Sequence, residues 1–259
     1  SSNVAVGQNA LTTVTTGAQN TAVGQGALYA NTADDNVAVG INAAVSNTSG
    51  VDNTAIGAWA LDANTTGGDN TAVGDNALGA VTTGSYNTAV GSSALILNTA
   101  GNNTAVGNQA LAANTTGNVN HAFGDEALVA NTTGAANVAM GYRALYVNTT
   151  TANNVAIGNE TLYANIAANN VAVGYGASRA NTTGANNTAL GYRAAYSNTT
   201  ASDNTAIGDE AFYTNTTGSE NTALGVASLY TNNAAYNTAV GYFSLKANTT
   251  ATNNTAVGH

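Results

Sequence analysis

The sequence contains no cysteine and no proline, and only 7% of its 259 residues are charged, against about 25% in an ordinary globular domain. The absence of cysteine excludes a disulfide framework and any thiolate chemistry. With only two histidines, His121 and His259, we expect no histidine-based metal or catalytic centre. Four Lys and Arg residues against 13 Asp and Glu residues give a net charge of −9, which argues against nucleic-acid and anionic-membrane partners. No apolar run approaches the about 20 residues of a membrane span, so we expect no membrane insertion.

What the sequence has instead is a repeat that covers nearly the whole chain. Its units follow the pattern Asn-(Thr/Val)-Ala-(Val/Ile/Leu)-Gly-x-x-Ala-Leu-x-x-Asn-Thr-Thr-Gly-x-x, and we number positions within a unit from the opening Asn. Units begin at Asn3, Asn20, Asn36 and onward to Asn254. Eleven of the fifteen steps have the 17-residue length seen from Asn3 to Asn20, and four have the 16-residue length seen from Asn20 to Asn36. The four short units begin at Asn20, Asn87, Asn154 and Asn221, so a 67-residue period of four units is superimposed on the repeat.

The repeat predicts a parallel β-solenoid with one unit in each coil. A helix is disfavoured because Gly recurs at position 5 of every unit and no 3.6-residue apolar stripe appears. Runs of three to five residues between Gly and Asn turn signals fit short strands that stack from coil to coil at about 4.8 Å. We therefore predict an all-β fold of about 15 coils, in which residues 1–259 form a single repeat domain. Because Ser1 leads directly into the pattern, we expect the chain to be an excerpt of a longer fibre, or else a mature product.

Two columns of the repeat are candidates for the hydrophobic core. Position 4 is large and apolar in all sixteen units, and position 9 is usually Leu. Successive strand residues point to opposite faces, so positions 2 and 4 share one face while the Asn, Ala and Gly of positions 1, 3 and 5 share the other. Neither face carries a charge, which indicates that the coil interior covers one and a neighbouring chain covers the other. The pattern leaves open which face is the inner one.

The Asn columns at positions 1 and 12 have two interpretations. Stacked side-chain amides can form hydrogen bonds from coil to coil, and Asn followed by Thr-Thr-Gly is also common in turns. Asn64-Thr65-Thr66 matches a glycosylation acceptor as well, but this motif follows automatically from such a turn.

Positions 6, 7, 10, 16 and 17 vary freely and are expected to face water. If the coils stack in register, position 10 of the later units forms an exposed aromatic column with Arg179 between two rings. We consider this column a possible ligand-binding stripe, made of Tyr146, Tyr163, Arg179, Tyr196, Tyr213 and Tyr230. Tyrosine rings suit sugar faces, and the alternative is that they merely shield the coil edges.

A second and weaker candidate site is acidic. The last position of three consecutive units is Asp35, Asp52 and Asp69, and their oxygens could bind Ca²⁺. The alternative is three solvated carboxylates. We expect no other metal and no cofactor.

Segments such as Asn187-Thr-Ala-Leu-Gly-Tyr-Arg and Asn137-Val-Ala-Met-Gly-Tyr-Arg resemble repeats of tail-fibre-type proteins. The sequences Asn-Val-Ala-Val-Gly at Asn36 and Asn170, and Asn-Val-Ala-Ile-Gly at Asn154, are similar to the motif of trimeric autotransporter adhesin heads. The resemblance implies a left-handed parallel β-roll, three chains in one fibre, and an extracellular place on a cell surface, in a secretion or on a virion.

We therefore expect a structural or adhesive fibre segment that associates with itself, as a homotrimer or end to end, and that binds surface glycans. The main alternative is an ice-binding solenoid, because position 13 is Thr in 13 of 15 units. An enzyme is not expected, since His121 sits at a strand position and the acidic pairs, such as Asp125-Glu126, lie where solvated residues are usual.

Overall fold

The computed structural model describes residues 2–259, within which the chain forms strands and turns but no helix. It divides into two units, Ser1–Thr133 and Gly134–His259. Every repeat contributes one strand of three residues. The strands of the first unit are β1 Val4–Val6, β2 Thr21–Val23, β3 Val37–Val39, β4 Thr54–Ile56, β5 Thr71–Val73, β6 Thr88–Val90, β7 Thr104–Val106 and β8 His121–Phe123. Those of the second unit are β9 Val138–Met140, β10 Val155–Ile157, β11 Val171–Val173, β12 Thr188–Leu190, β13 Thr205–Ile207, β14 Thr222–Leu224, β15 Thr238–Val240 and β16 Thr255–Val257.

Within each unit the strands pair in parallel, in chain order and in repeat register. Ala72 of β5 pairs with Ala89 of β6, and Ala89 pairs in turn with Ala105 of β7. The second of these steps passes through a 16-residue repeat, so the missing residue leaves the strand register unchanged. The predicted all-β parallel β-solenoid, with one repeat per coil, is confirmed.

The interior of the coils is built from small and polar columns together with position 9. Ala89 and Leu95 are completely buried, as are their equivalents in most coils. The prediction that position 9 is core is therefore confirmed, but the prediction that position 4 is core is wrong. Position 4 points outward, with an exposed fraction of 36% at Val23 and 44% at Leu190. The reason is strand alternation: position 1 must face inward for its amide to bond between coils, and this places position 3 inside and positions 2 and 4 outside.

Both interpretations of the Asn columns are correct. Asn114 at position 12 donates from Nδ2 to Asn98 Oδ1 of the preceding coil (2.7 Å) and to the Gly117 carbonyl of its own turn (2.9 Å). At position 1, Asn120 N donates to Asn103 Oδ1 over 3.0 Å. We call these columns the position-1 and position-12 amide ladders. Asn64 of the glycosylation motif belongs to the position-12 ladder and is completely buried, so the folded chain does not offer it for modification.

The 16-residue coils join the two amide ladders. In a 17-residue coil, Asn64 Oδ1 accepts the N–H of Gly67. The shorter turn replaces this contact with a hydrogen bond from the next position-1 amide, as from Asn103 Nδ2 to Asn98 Oδ1 over 3.3 Å. The same bond recurs at the other three short coils, between Asn36 and Asn31, Asn170 and Asn165, and Asn237 and Asn232. The four-unit period of the sequence therefore marks where the two ladders are cross-linked.

Candidate functional site

The second unit carries all of the basic side chains and most of the aromatic ones. It holds all four basic residues of the chain and ten of its 12 tyrosines, whereas eight of the 13 acidic residues lie in the first unit. The basic residues are Arg143, Arg179, Arg193 and Lys246. Each lies over at least one aromatic ring, with 3.7–5.9 Å between the cationic atom and the ring centroid. Charge and rings are thus collected on one set of turns, at positions 6, 7 and 10.

The structure brings the predicted position-10 column together as stacked rings. Tyr146 and Tyr163 are nearly parallel, with centroids 5.0 Å apart. Tyr196, Tyr213 and Tyr230 form a second stack, with centroid distances of 5.4 and 5.1 Å. The Arg179 guanidinium lies over the Tyr163 ring at 5.1 Å. We call the three-ring group the position-10 stack.

Ring stacking decides which part of each tyrosine is available to a ligand. Because parallel strands repeat at about 4.8 Å, equivalent rings in adjacent coils cover each other's faces. What Tyr213 presents to solvent is therefore its edge and its hydroxyl group, since its faces lie against Tyr196 and Tyr230. This surface suits hydrogen bonding to a hydroxyl-rich ligand better than face-to-face stacking on a sugar ring.

Arg179 is paired with a residue that sequence reasoning missed. Its Nε donates to Glu160 Oε2 over 2.7 Å, and this hydrogen bond raises the pKa of Arg179. The two side chains belong to adjacent coils but to different positions, 10 and 7. Because the pair is diagonal, no single column of the repeat contains both residues, and the repeat pattern does not indicate their contact.

A second aromatic group, at position 6, was also not predicted. Tyr175 and Tyr192 stack with centroids 5.7 Å apart, and we call them the position-6 stack. Arg193 lies between the two stacks, with its Cζ 5.0 Å from the Tyr192 centroid and 5.5 Å from that of Tyr196. The usable signal is the short motif Tyr-Arg-Ala-x-Tyr, which also places Arg143 between Tyr142 and Tyr146.

The other positions that the sequence indicated, the aspartates, His121 and the position-13 threonines, do not form a comparable site. Asp35, Asp52 and Asp69 are exposed, and residues 2–259 contain no group of three or more His, Cys, Asp or Glu side chains that could hold a metal ion. His121 lies in β8 on the outward face, half-buried.

The threonine hydroxyl groups at position 13 already form hydrogen bonds within the protein. Thr65 Oγ1 donates to the Thr82 carbonyl oxygen of the next coil over 3.0 Å. Similar bonds form from Thr32, Thr48, Thr99, Thr115, Thr182 and Thr199.

The described residues offer an open surface rather than a cavity. Residues 2–259 form no pocket, and none of them belongs to a helix long and apolar enough to cross a membrane. The features that could act on a ligand are therefore the outward strand face and the tyrosine stacks. No protein-family model matches the sequence, and a search of curated proteins finds no significant match.

Proposed function

We propose that the chain is a non-enzymatic structural and adhesive fibre segment, exposed on a virion, on a cell surface or in a secretion. Copies of it assemble through the strand face, which we define as positions 2 and 4 of all strands. The observation that carries the proposal is the apolar character of this face: position 4 is Val, Ile, Leu, Phe or Met throughout. A continuous apolar stripe left open to water is typical of an interaction surface.

The assembly is a homotrimer, a number that rests on the resemblance to adhesin heads. The strand face carries no charge in any coil, so a second copy can cover it without burying an unpaired ion. Position 2 is Thr or Val except at His121, and position 4 is Val, Ile, Leu, Phe or Met, so two such faces can pack closely. Charged residues lie at the turns, where they stay in water after assembly.

Val90→Asp is expected to prevent assembly while leaving the coil folded. Val90 lies on the strand face of β6, where Asp would stay hydrated in a single chain but would be buried without a partner in a trimer, at a cost of several kcal/mol. Sedimentation equilibrium should give three times the 25.5 kDa chain mass for the parent and one chain mass for the variant. Leu97→Asp is the matched control, because Leu97 is 51% exposed in the same coil but away from the strand face. A monomeric parent, or a Val90→Asp variant that assembles normally, would contradict the proposal.

The adhesive part of the proposal concerns the tyrosine hydroxyls. Replacing Tyr163, Tyr196 and Tyr213 together by Phe keeps the ring stacks and removes the hydroxyl groups. We expect unchanged thermal stability and at least a tenfold loss of binding on a glycan array, about 1.4 kcal/mol. Tyr86→Phe, in the first unit and outside the stacks, should bind like the parent. If the triple variant bound glycans as tightly as the parent, the tyrosine column would have a structural role, covering the coil edges, rather than a binding role.

The ice-binding alternative receives less support. Its threonine column at position 13 uses its hydroxyl donors on backbone carbonyls, so these groups are not free to donate to an ordered water layer. Thermal hysteresis by a monomeric parent chain would nevertheless favour this function over the fibre.

A further inference from the structure

The Arg193 side chain is fixed in position, and its positive charge has no ion-pair partner among the described residues. Its guanidinium lies between the position-6 and position-10 stacks, against Tyr192 on one side and Tyr196 on the other. Its Nε is buried without a hydrogen-bond partner, and within residues 2–259 the group forms no salt bridge. Partial desolvation opposes its charge, yet the surrounding tyrosines raise the pKa of Arg193, so the group stays charged at any physiological pH.

Two other basic residues of this unit, Arg179 and Lys246, do not share this combination. The charge on Arg179 is met by Glu160, and Lys246 Nζ lies 3.7 Å from the Phe243 centroid. Glu210 follows Arg193 at position 7 of the next coil but makes no salt bridge with it in the described residues. The Arg193 guanidinium is therefore fixed in position on the aromatic surface, and no acidic side chain in the described part of the chain forms an ion pair with it.

The coil before Arg193 lets the neighbouring tyrosine ring pack closely beside it. Position 7 of that coil is Gly176, and a Cβ added there would lie 3.2 Å from the Tyr196 ring and 3.8 Å from Arg193 Cγ. Most coils carry a larger side chain at this position. Without a side chain at Gly176, the Tyr196 ring packs closely against the preceding coil and is held beside the guanidinium.

We propose that Arg193 and the tyrosines beside it form a binding site for an acidic saccharide of the uronic or sialic acid type. The sugar carboxylate pairs with the free Nη groups of Arg193, because a guanidinium binds a carboxylate through charge-assisted hydrogen bonds. Sugar hydroxyls bond to the hydroxyl groups of Tyr192 and Tyr196. A saccharide fits better than an acidic peptide, because tyrosine rings, each with a hydroxyl group, lie on both sides of the cation and no apolar pocket accompanies it among the described residues. This inference rests on the proposed adhesive function and names the ligand class that the adhesive surface takes.

Isothermal titration calorimetry with oligogalacturonate tests the site, and its methyl ester provides a ligand of the same backbone without the charge. The parent chain should bind the acid at least tenfold more tightly than the ester. A higher salt concentration should weaken the binding of the acid but not that of the ester. Arg193→Gln should reduce the affinity for the acid at least tenfold. Arg193→Lys should cause most of the same reduction, because Lys keeps the charge but lacks the planar guanidinium with its paired N–H donors. Lys246→Gln removes the same charge from the same unit and should bind like the parent.

Three results would overturn the inference: equal binding of acid and ester, an equal loss in Lys246→Gln, or equally tight, Arg193-dependent binding of polyglutamate, which would indicate an acidic peptide site. Sedimentation and circular dichroism of each variant separate these results from a failure to fold or assemble. If the parent assembles and binds neutral glycans through its tyrosines but shows no preference for the acid, the inference fails while the proposed function stands. If the parent binds no glycan at all, both the inference and the adhesive part of the proposed function fail.

Discussion

Gly74→Ala is expected to destabilise the solenoid strongly, whereas Gly79→Ala, five residues later in the same coil, should leave stability nearly unchanged. Gly74 has φ +137°, and a Cβ there would lie 2.5 Å from the carbonyl oxygen of Gly91 in the next coil. The strained φ costs about 1–3 kcal/mol, and pushing the coils apart costs a further ~1–3 kcal/mol. Gly79 has ordinary backbone geometry, and its added Cβ would meet its nearest atom at 3.4 Å.

Urea denaturation of both variants and the parent gives the free energies of unfolding. Because each coil contacts only its neighbours, hydrogen exchange should show the damage first in the coils next to Gly74. If Gly74→Ala and Gly79→Ala unfolded at the same urea concentration, the close approach of position 5 to the next coil would be refuted.

Asn114→Leu is expected to cost several kcal/mol although it places an apolar side chain in a completely buried position. Asn114 donates to Asn98 and to the Gly117 carbonyl, and its Oδ1 accepts from Asn131 Nδ2 over 2.8 Å. Leu removes all three of these hydrogen bonds from the interior, at about 0.5–1.5 kcal/mol each, although Asn98 Oδ1 and the Gly117 carbonyl each keep a bond from Asn103 Nδ2. Asn114→Asp keeps the shape but removes both donors and buries a charge, so it should be no milder.

Asn102→Asp is the matched control for Asn114→Asp. Asn102 is exposed at the last position of its coil, with φ 62°, and Asp occupies the equivalent place at Asp35, Asp52 and Asp69. The control should melt within a degree or two of the parent, while both Asn114 variants melt far below it. Near-parent stability of Asn114→Leu would mean that the position-12 amide ladder contributes little.

The period of the sequence was sufficient to predict the fold, because in-register stacking follows directly from a repeat of nearly constant length. The inner face was not predictable from hydrophobicity, which favours Val90 over Ala89 as a core residue. Burial is decided instead by Asn87, whose amide must lie between coils and whose strand partner in alternation is Ala89. Which way the chain turns after such a strand depends on the whole coil, and three residues carry no local signal for it.

The candidate site was predictable only along columns. Tyr196 and Tyr213 occupy the same position in adjacent coils, so register alone brings them together. Arg193 meets rings from positions 6 and 10, and Glu160 meets Arg179 across positions 7 and 10. Such contacts depend on how far side chains reach across a turn, which the repeat pattern does not contain.

The cross-links between the amide ladders make the four-coil block a natural unit of length. Each short coil ends with the same Asn-to-Asn bond, as between Asn103 and Asn98 or between Asn170 and Asn165. A gene duplication or deletion of one whole four-coil block would rejoin equivalent atoms at both ends and keep these bonds evenly spaced. The loss of a single coil would also keep the strands paired, but it would disturb that spacing. Recombination within the gene can therefore change the number of coils in four-coil steps while keeping the hydrogen bonds of the interior.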